Sequence, residues 1–169
     1  MKALRIYAGE RARSHIQMQG LQPQDIRVVP AAAGGPKGLI LQPLDQHLFA
    51  HWLPQGQHEV HLIGASIGAW RMATALMDDP RHAFELFAHG YISQHYEPEP
   101  GKRMPSPQRV SEGFGQALDG LFGPHIQTLL THPRYRLHVL TSRGRQILRR
   151  PGKVQTAVGM GGLALGNVL

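Results

Sequence analysis

The chain has no cysteine, which excludes a disulfide framework, a thiol nucleophile and a thiolate zinc site, and leaves the redox compartment open. Long apolar runs are also missing. A membrane span needs about 18 to 20 consecutive apolar residues, and the longest candidate, 157–169, is short and rich in glycine. The N-terminus, MKALRIYAGERARS, reaches Glu10 and Arg11 before the apolar core of a signal peptide can form. The expectation is a cytoplasmic chain, soluble or peripheral to a membrane.

Acidic residues are scarce: 11 against 18 lysines and arginines, a formal net charge of +7. Such a surface attracts phosphates, anionic lipid headgroups or nucleic acid, and it equally serves solubility alone. The densest basic stretch, Arg143, Arg145, Arg149, Arg150 and Lys153, has no aromatics interleaved for base stacking and no nucleic-acid-binding motif around it. Peripheral contact with an anionic membrane surface therefore ranks above nucleic acid as an expected partner.

With 169 residues, 41% of them apolar, the chain can form a single α/β domain with a real core. Residues 9–19 read as a surface helix stopped at Gly20, and 26–33, IRVVPAAA, as a buried strand weakened by Pro30. From Leu39, apolar residues at Ile40, Leu44, Leu48 and Trp52 predict a helix. It must begin close to Pro43, whose missing N–H is tolerated only in a first turn. A strand at 60–64 precedes an all-round apolar helix at 67–77, and Asp79-Pro80 opens another helix running to 94. A proline-rich excursion (97–108), a helix over 110–122, a short helix after Pro124 and a third strand at 135–142 complete the order. Strands separated by helices imply a mainly parallel sheet flanked by helices. Trp52 and Trp70 read as core aromatics.

Between the second strand and its following helix lies Gly64-Ala65-Ser66-Ile67-Gly68, a G-x-S-x-G sequence. A serine at a sharp strand-to-helix turn projects its Oγ above the sheet, and small residues two positions either side let the backbone turn. The emerging helix aims free N–H groups and its positive dipole end at the same point. The pattern alone is weak; its position between strand and helix makes it a candidate nucleophile elbow.

A second loop, Gly34-Gly35-Pro36-Lys37-Gly38, also follows a strand and precedes a helix. Consecutive glycines let backbone N–H groups approach a ligand, as an oxyanion hole for acyl transfer requires, although Pro36 cannot donate. The spacing does not meet that of a nucleotide-binding P-loop. In a parallel sheet both loops leave the same edge, so they can converge.

A G-G-x-K-G loop about thirty residues before G-A-S-I-G resembles the patatin-like phospholipases. The resemblance spans roughly residues 26–77 and implies a three-layer α/β/α fold, incomplete at its C-terminus, with 1–169 forming a partial domain. It further implies a serine acyl hydrolase acting on lipid or other carboxylic esters through a Ser–Asp dyad, without cofactor or metal. Ser66 takes the place of the nucleophile, and Gly34, Gly35, Lys37 and Gly38 that of the oxyanion-hole loop. Where the family often begins that loop with Asp-Gly, this chain has Ala32-Ala33. The family's aspartate lies in an Asp-Gly-Gly or Asp-Gly-Ala turn well downstream of the serine. Here only Asp78, Asp79 and Asp119 follow Ser66. The first two read as helix-start residues, while Asp119-Gly120 has the dipeptide but falls in a helical stretch. The expectation is that truncation after the apolar segment GGLALGNVL has removed the base.

Two other classes compete. An ordinary α/β-hydrolase triad is permitted by the order Ser66, Asp119, then His125, His132 or His138. A non-catalytic relative that binds acyl chains or anionic membranes is the other. The histidine pairs His47/His51 and His58/His61 lack a metal-site motif such as H-E-x-x-H and read as structural or solvated.

Overall fold

The computed structural model describes residues 5–143. Arg145, Arg149, Arg150 and Lys153 of the basic stretch, and the apolar segment 157–169, lie outside the described residues. Three parallel strands, β1 (Val28–Ala31), β2 (Val60–Ala65) and β3 (Tyr135–Leu140), form one sheet in the order β1-β2-β3. Six α-helices accompany them: α1 (Glu10–Gln19), α2 (Gln42–His47), α3 (Ile67–Thr74), α4 (Pro80–Ile92), α5 (Pro107–Phe122) and α6 (Ile126–Thr131). The chain has an α/β fold.

The strand order explains where the helices go. Both crossovers step the same way across the sheet, and right-handed crossovers in one direction put every connecting helix on the same face. That face carries Ala31, Val60, Leu62 and Tyr135, all buried, against Phe49, Met72, Leu76 and Phe84. Phe49 anchors the packing, edge-on to Tyr135 at 6.0 Å between ring centroids and 6.1 Å from Phe84. The opposite face presents Val28, His61, Arg136, His138 and Leu140 largely to solvent. Among the described residues the sheet therefore has two layers, and the third layer of the expected α/β/α sandwich is absent there. Helices reach a second face only where strand order reverses.

Proline sets several boundaries. The expected continuous helix from Leu39 to Trp52 is instead a 3₁₀ segment (Gly35–Leu41), the short α2, and a π-helical turn (Leu48–Trp52). Pro43 is the second residue of α2; its ring would strike the carbonyl four residues back, so the preceding turn takes the tighter 3₁₀ winding. Pro30 is tolerated because β1 is an edge strand. Pro107 starts α5 three residues before the expected 110, with Ser106 Oγ capping the Arg109 N–H at 3.3 Å. Pro80 opens α4, whose cap is Asp79, accepting from the His82 N–H at 3.1 Å. No helix among the described residues is long and apolar enough to cross a membrane.

His132 caps the entry to β3. Its Nδ1 accepts from the Tyr135 N–H at 2.9 Å and the Arg134 N–H at 3.1 Å, a role open only to an unprotonated Nδ1. Burial pushes the imidazole below its ordinary 6.5, aided by Arg134 and Arg136 and opposed by Asp78. With the folded value depressed, the stabilisation is fully present above about 6.5 and is lost as pH falls from there towards the lower folded value. Urea unfolding at pH 7.5 and 5.5 is expected to show lower stability at 5.5 in the wild type. In His132→Asn, which keeps an acceptor without a titrating ring, that component of the difference disappears.

Candidate active site

The C-terminal ends of β1 and β2 lie side by side, with Ala31 paired to Gly64. The chain leaving β2 turns at once into α3, and Ser66 occupies the turn with φ 51° and ψ −130°. Among the described residues it is the only non-glycine at positive φ. A side chain is costly in that region, about 1–3 kcal/mol, and such strain concentrates at functional positions. Ser66 is exposed. Its carbonyl accepts from the Ala69 N–H at 2.9 Å, while the Ile67 and Gly68 N–H groups open the helix and have no carbonyl within it to serve.

Both flanking glycines are sterically required. A Cβ on Gly64 would overlap the backbone of Ala69, and one on Gly68 would overlap the carbonyls of Ala31 and Ala32. The elbow thus rests directly on the backbone where β1 ends and the glycine loop begins. Within that loop Gly35 has φ 56°, in the left-handed region that favours glycine. A Cβ on Gly38 would lie 3.0 Å from Ile67 Cγ2, so the loop packs on the residue that follows the serine. Gly34 and Lys37 are exposed on the same loop, Ala65 is half-buried at the end of β2, and Ile67 and Gly68 are buried.

A buried ion pair ties the two loops' helices together. Arg71 on α3 grips Asp45 on α2 with two hydrogen bonds, Nε to Oδ2 and Nη2 to Oδ1, both 2.7 Å. Their side chains are 8% and 4% exposed. Burial pushes the Asp45 carboxyl above its ordinary range, against the pull of the Arg71 guanidinium. Both Asp45 oxygens are engaged by Arg71. Sequence reasoning missed this pair, yet the signal was there: Asp45 falls on the apolar face with Leu41 and Phe49, and Arg71 is the lone charge in SIGAWRMATALM. A buried charge demands a partner.

The expected acid/base candidates lie elsewhere. All eleven histidines and eleven carboxylate side chains of the sequence fall within 5–143, and none hydrogen-bonds to Ser66 Oγ. Asp119 is exposed on α5, its Oδ1 lying over Gly123. His132 precedes β3, at the sheet edge opposite Ser66 and about a strand length away, roughly 20 Å for six residues. His138 lies on the open face, 2.9 Å from His61, and His125 is exposed beyond α5. The triad ordering is therefore not assembled. Among the described residues no group of three or more histidine, aspartate or glutamate side chains converges as a metal site would. His47 and His51 merely stand 6.2 Å apart on successive turns.

No family model matches the chain, and neither a curated protein nor a solved structure matches it.

Removing one partner of the buried pair leaves an uncompensated charge, a loss of about 3–5 kcal/mol. Asp45→Ala is expected to fall by that amount in urea unfolding. The double variant Asp45→Leu/Arg71→Met, which buries no charge, is expected to return close to the wild type.

Proposed function

We propose that the chain carries the nucleophile and oxyanion hole of a patatin-like serine acyl hydrolase acting on lipid or other carboxylic esters. The observation that carries this reading is the strained Ser66 at the strand-to-helix turn, with the glycine loop packed against the next residue. Ser66 Oγ attacks the ester carbonyl carbon, and the carbonyl π-bond electrons move to oxygen. The first free N–H groups of α3 and those of the Gly34–Gly38 loop stabilise that oxyanion. Collapse breaks the bond to the alcohol oxygen, which leaves as the alcohol by taking up, through solvent water, the proton that Ser66 Oγ gave up. Water then hydrolyses the acyl-serine to the carboxylic acid and free serine.

Ser66 Oγ must lose a proton as it attacks, and among the described residues no carboxylate or imidazole side chain is hydrogen-bonded to it. Lacking a general base costs about 100-fold or more in rate. Slow acylation is therefore the behaviour expected of these 169 residues. The same observation favours a second reading, a non-catalytic relative that retains the elbow and binds acyl chains or an anionic lipid surface.

A fluorophosphonate probe separates the two. The wild-type chain is expected to label slowly and stoichiometrically, with the adduct on Ser66, and Ser66→Ala is expected not to label. Equal labelling of both proteins would remove Ser66 as nucleophile; no labelling of the folded wild type would favour the non-catalytic reading.

A further inference from the structure

Trp70 does not join the main core expected of it. It is half-buried one turn after Ser66, and its backbone N–H donates to the Ser66 carbonyl at 3.3 Å. There it heads a separate aromatic group, 4.8 Å from Phe114 on α5 and 6.1 Å from Tyr91 on α4. Between α3, α4 and α5 these rings line an open-sided cavity of about 340 Å³. Its walls are completed by Phe87, Leu118 and Leu121, and no charged side chain lines it.

Two glycines leave this cavity open. Gly90 on α4 and Gly120 on α5 both line it, and a Cβ added at either would meet no atom within 4 Å. Neither glycine is needed for close packing or for a positive φ. Both are exposed, so each leaves the open side of the cavity clear where a larger side chain would stand. Both stand in the last turn of their helices, where a glycine still costs up to about 0.5–1 kcal/mol relative to alanine, so a larger residue at either position would not disfavour the helix while narrowing the cavity.

We infer that this cavity receives the acyl chain of the ester, and that Gly90 and Gly120 set the length and bulk of chain it accepts. The inference rests on the acyl hydrolase reading for the chemistry of its occupant. Three observations commit it to an acyl chain. The cavity has the size of a small-ligand pocket, about 300–1,000 Å³. It offers apolar contact, with Gln94, the Tyr91 phenol and the Trp70 indole N–H as its polar side-chain groups. Trp70, which lines it, follows Ser66 by one helical turn of α3.

Trp70 reports occupancy directly. In Trp52→Phe, which leaves Trp70 as the single tryptophan, titration with decanoate is expected to shift Trp70 emission saturably. Adding Gly90→Leu, and separately Gly120→Leu, is expected to weaken that binding about tenfold or more, equivalent to about 1.4 kcal/mol. Melting temperatures should be no lower than that of the parent. Decanoate binding unchanged in both folded leucine variants would overturn the inference. So would the absence of any emission change at saturating decanoate, and fluorophosphonate labelling of Ser66 in that case would leave the hydrolase reading standing. Saturable, glycine-dependent binding without labelling would keep the acyl-chain site and remove the hydrolase. A dimer dispersed by Gly90→Leu, with no decanoate binding, would assign the cavity to a second copy of the chain and overturn the inference.

Discussion

The parallel register of β1 and β2 governs the arrangement. Because Ala31 pairs with Gly64, the chain leaves both strands at the same edge, and the turn after β2 must pass over the backbone that has just left β1. Gly68 makes that passage sterically feasible: it lies so close to the carbonyls of Ala31 and Ala32 that a methyl group would overlap them. From that contact follow the direction of α3, the exposure of Ser66 and the position of Gly38 against Ile67. A one-residue shift in register would invert the side-chain alternation of β2 and turn Val60 and Leu62 out of the core.

Position alone does not hold two loops in a fixed relation. The Asp45–Arg71 pair bridges the helices that follow them, and its two parallel hydrogen bonds fix orientation as well as distance. An apolar pair would fill the same volume at little thermodynamic cost, but it would allow sliding that the guanidinium fork forbids. Stability and geometry are thus divided in this fold. Phe49, Phe84 and Tyr135 supply the packing, while the ion pair orients the edge of the sheet where Ser66 stands.

Much of the architecture was legible in the residues because it follows from local rules. The three strands, the helix after Ser66 and the Asp79 cap of α4 follow from hydrophobic runs, glycine punctuation and cap chemistry. The glycine loop and the serine elbow were readable because each glycine has a steric task. Less readable was whatever depends on partners distant in sequence. Pro43 divides the expected long helix through its clash with the turn before it. The sheet has one covered face among residues 5–143 because strand order, invisible to periodicity, never reverses there. Trp70 has an aromatic residue's composition but not a core residue's surroundings, since Tyr91 and Phe114 join it from helices twenty and more residues away. His132 offered itself as a catalytic candidate by type, and only the sheet's direction puts it at the opposite edge.

On the acyl hydrolase reading, Ser66 stands in a backbone conformation retained for its hydroxyl rather than for the fold. Glycine adopts φ 51° and ψ −130° without the penalty a side chain incurs. The most direct measurement is the unfolding free energy of Ser66→Gly against the wild type, taken with fluorophosphonate labelling of both. The variant is expected to be more stable by about 1 kcal/mol and no longer to label. A variant less stable than the wild type by a similar margin would contradict that reading, because Ser66 would then be holding the turn together rather than straining it.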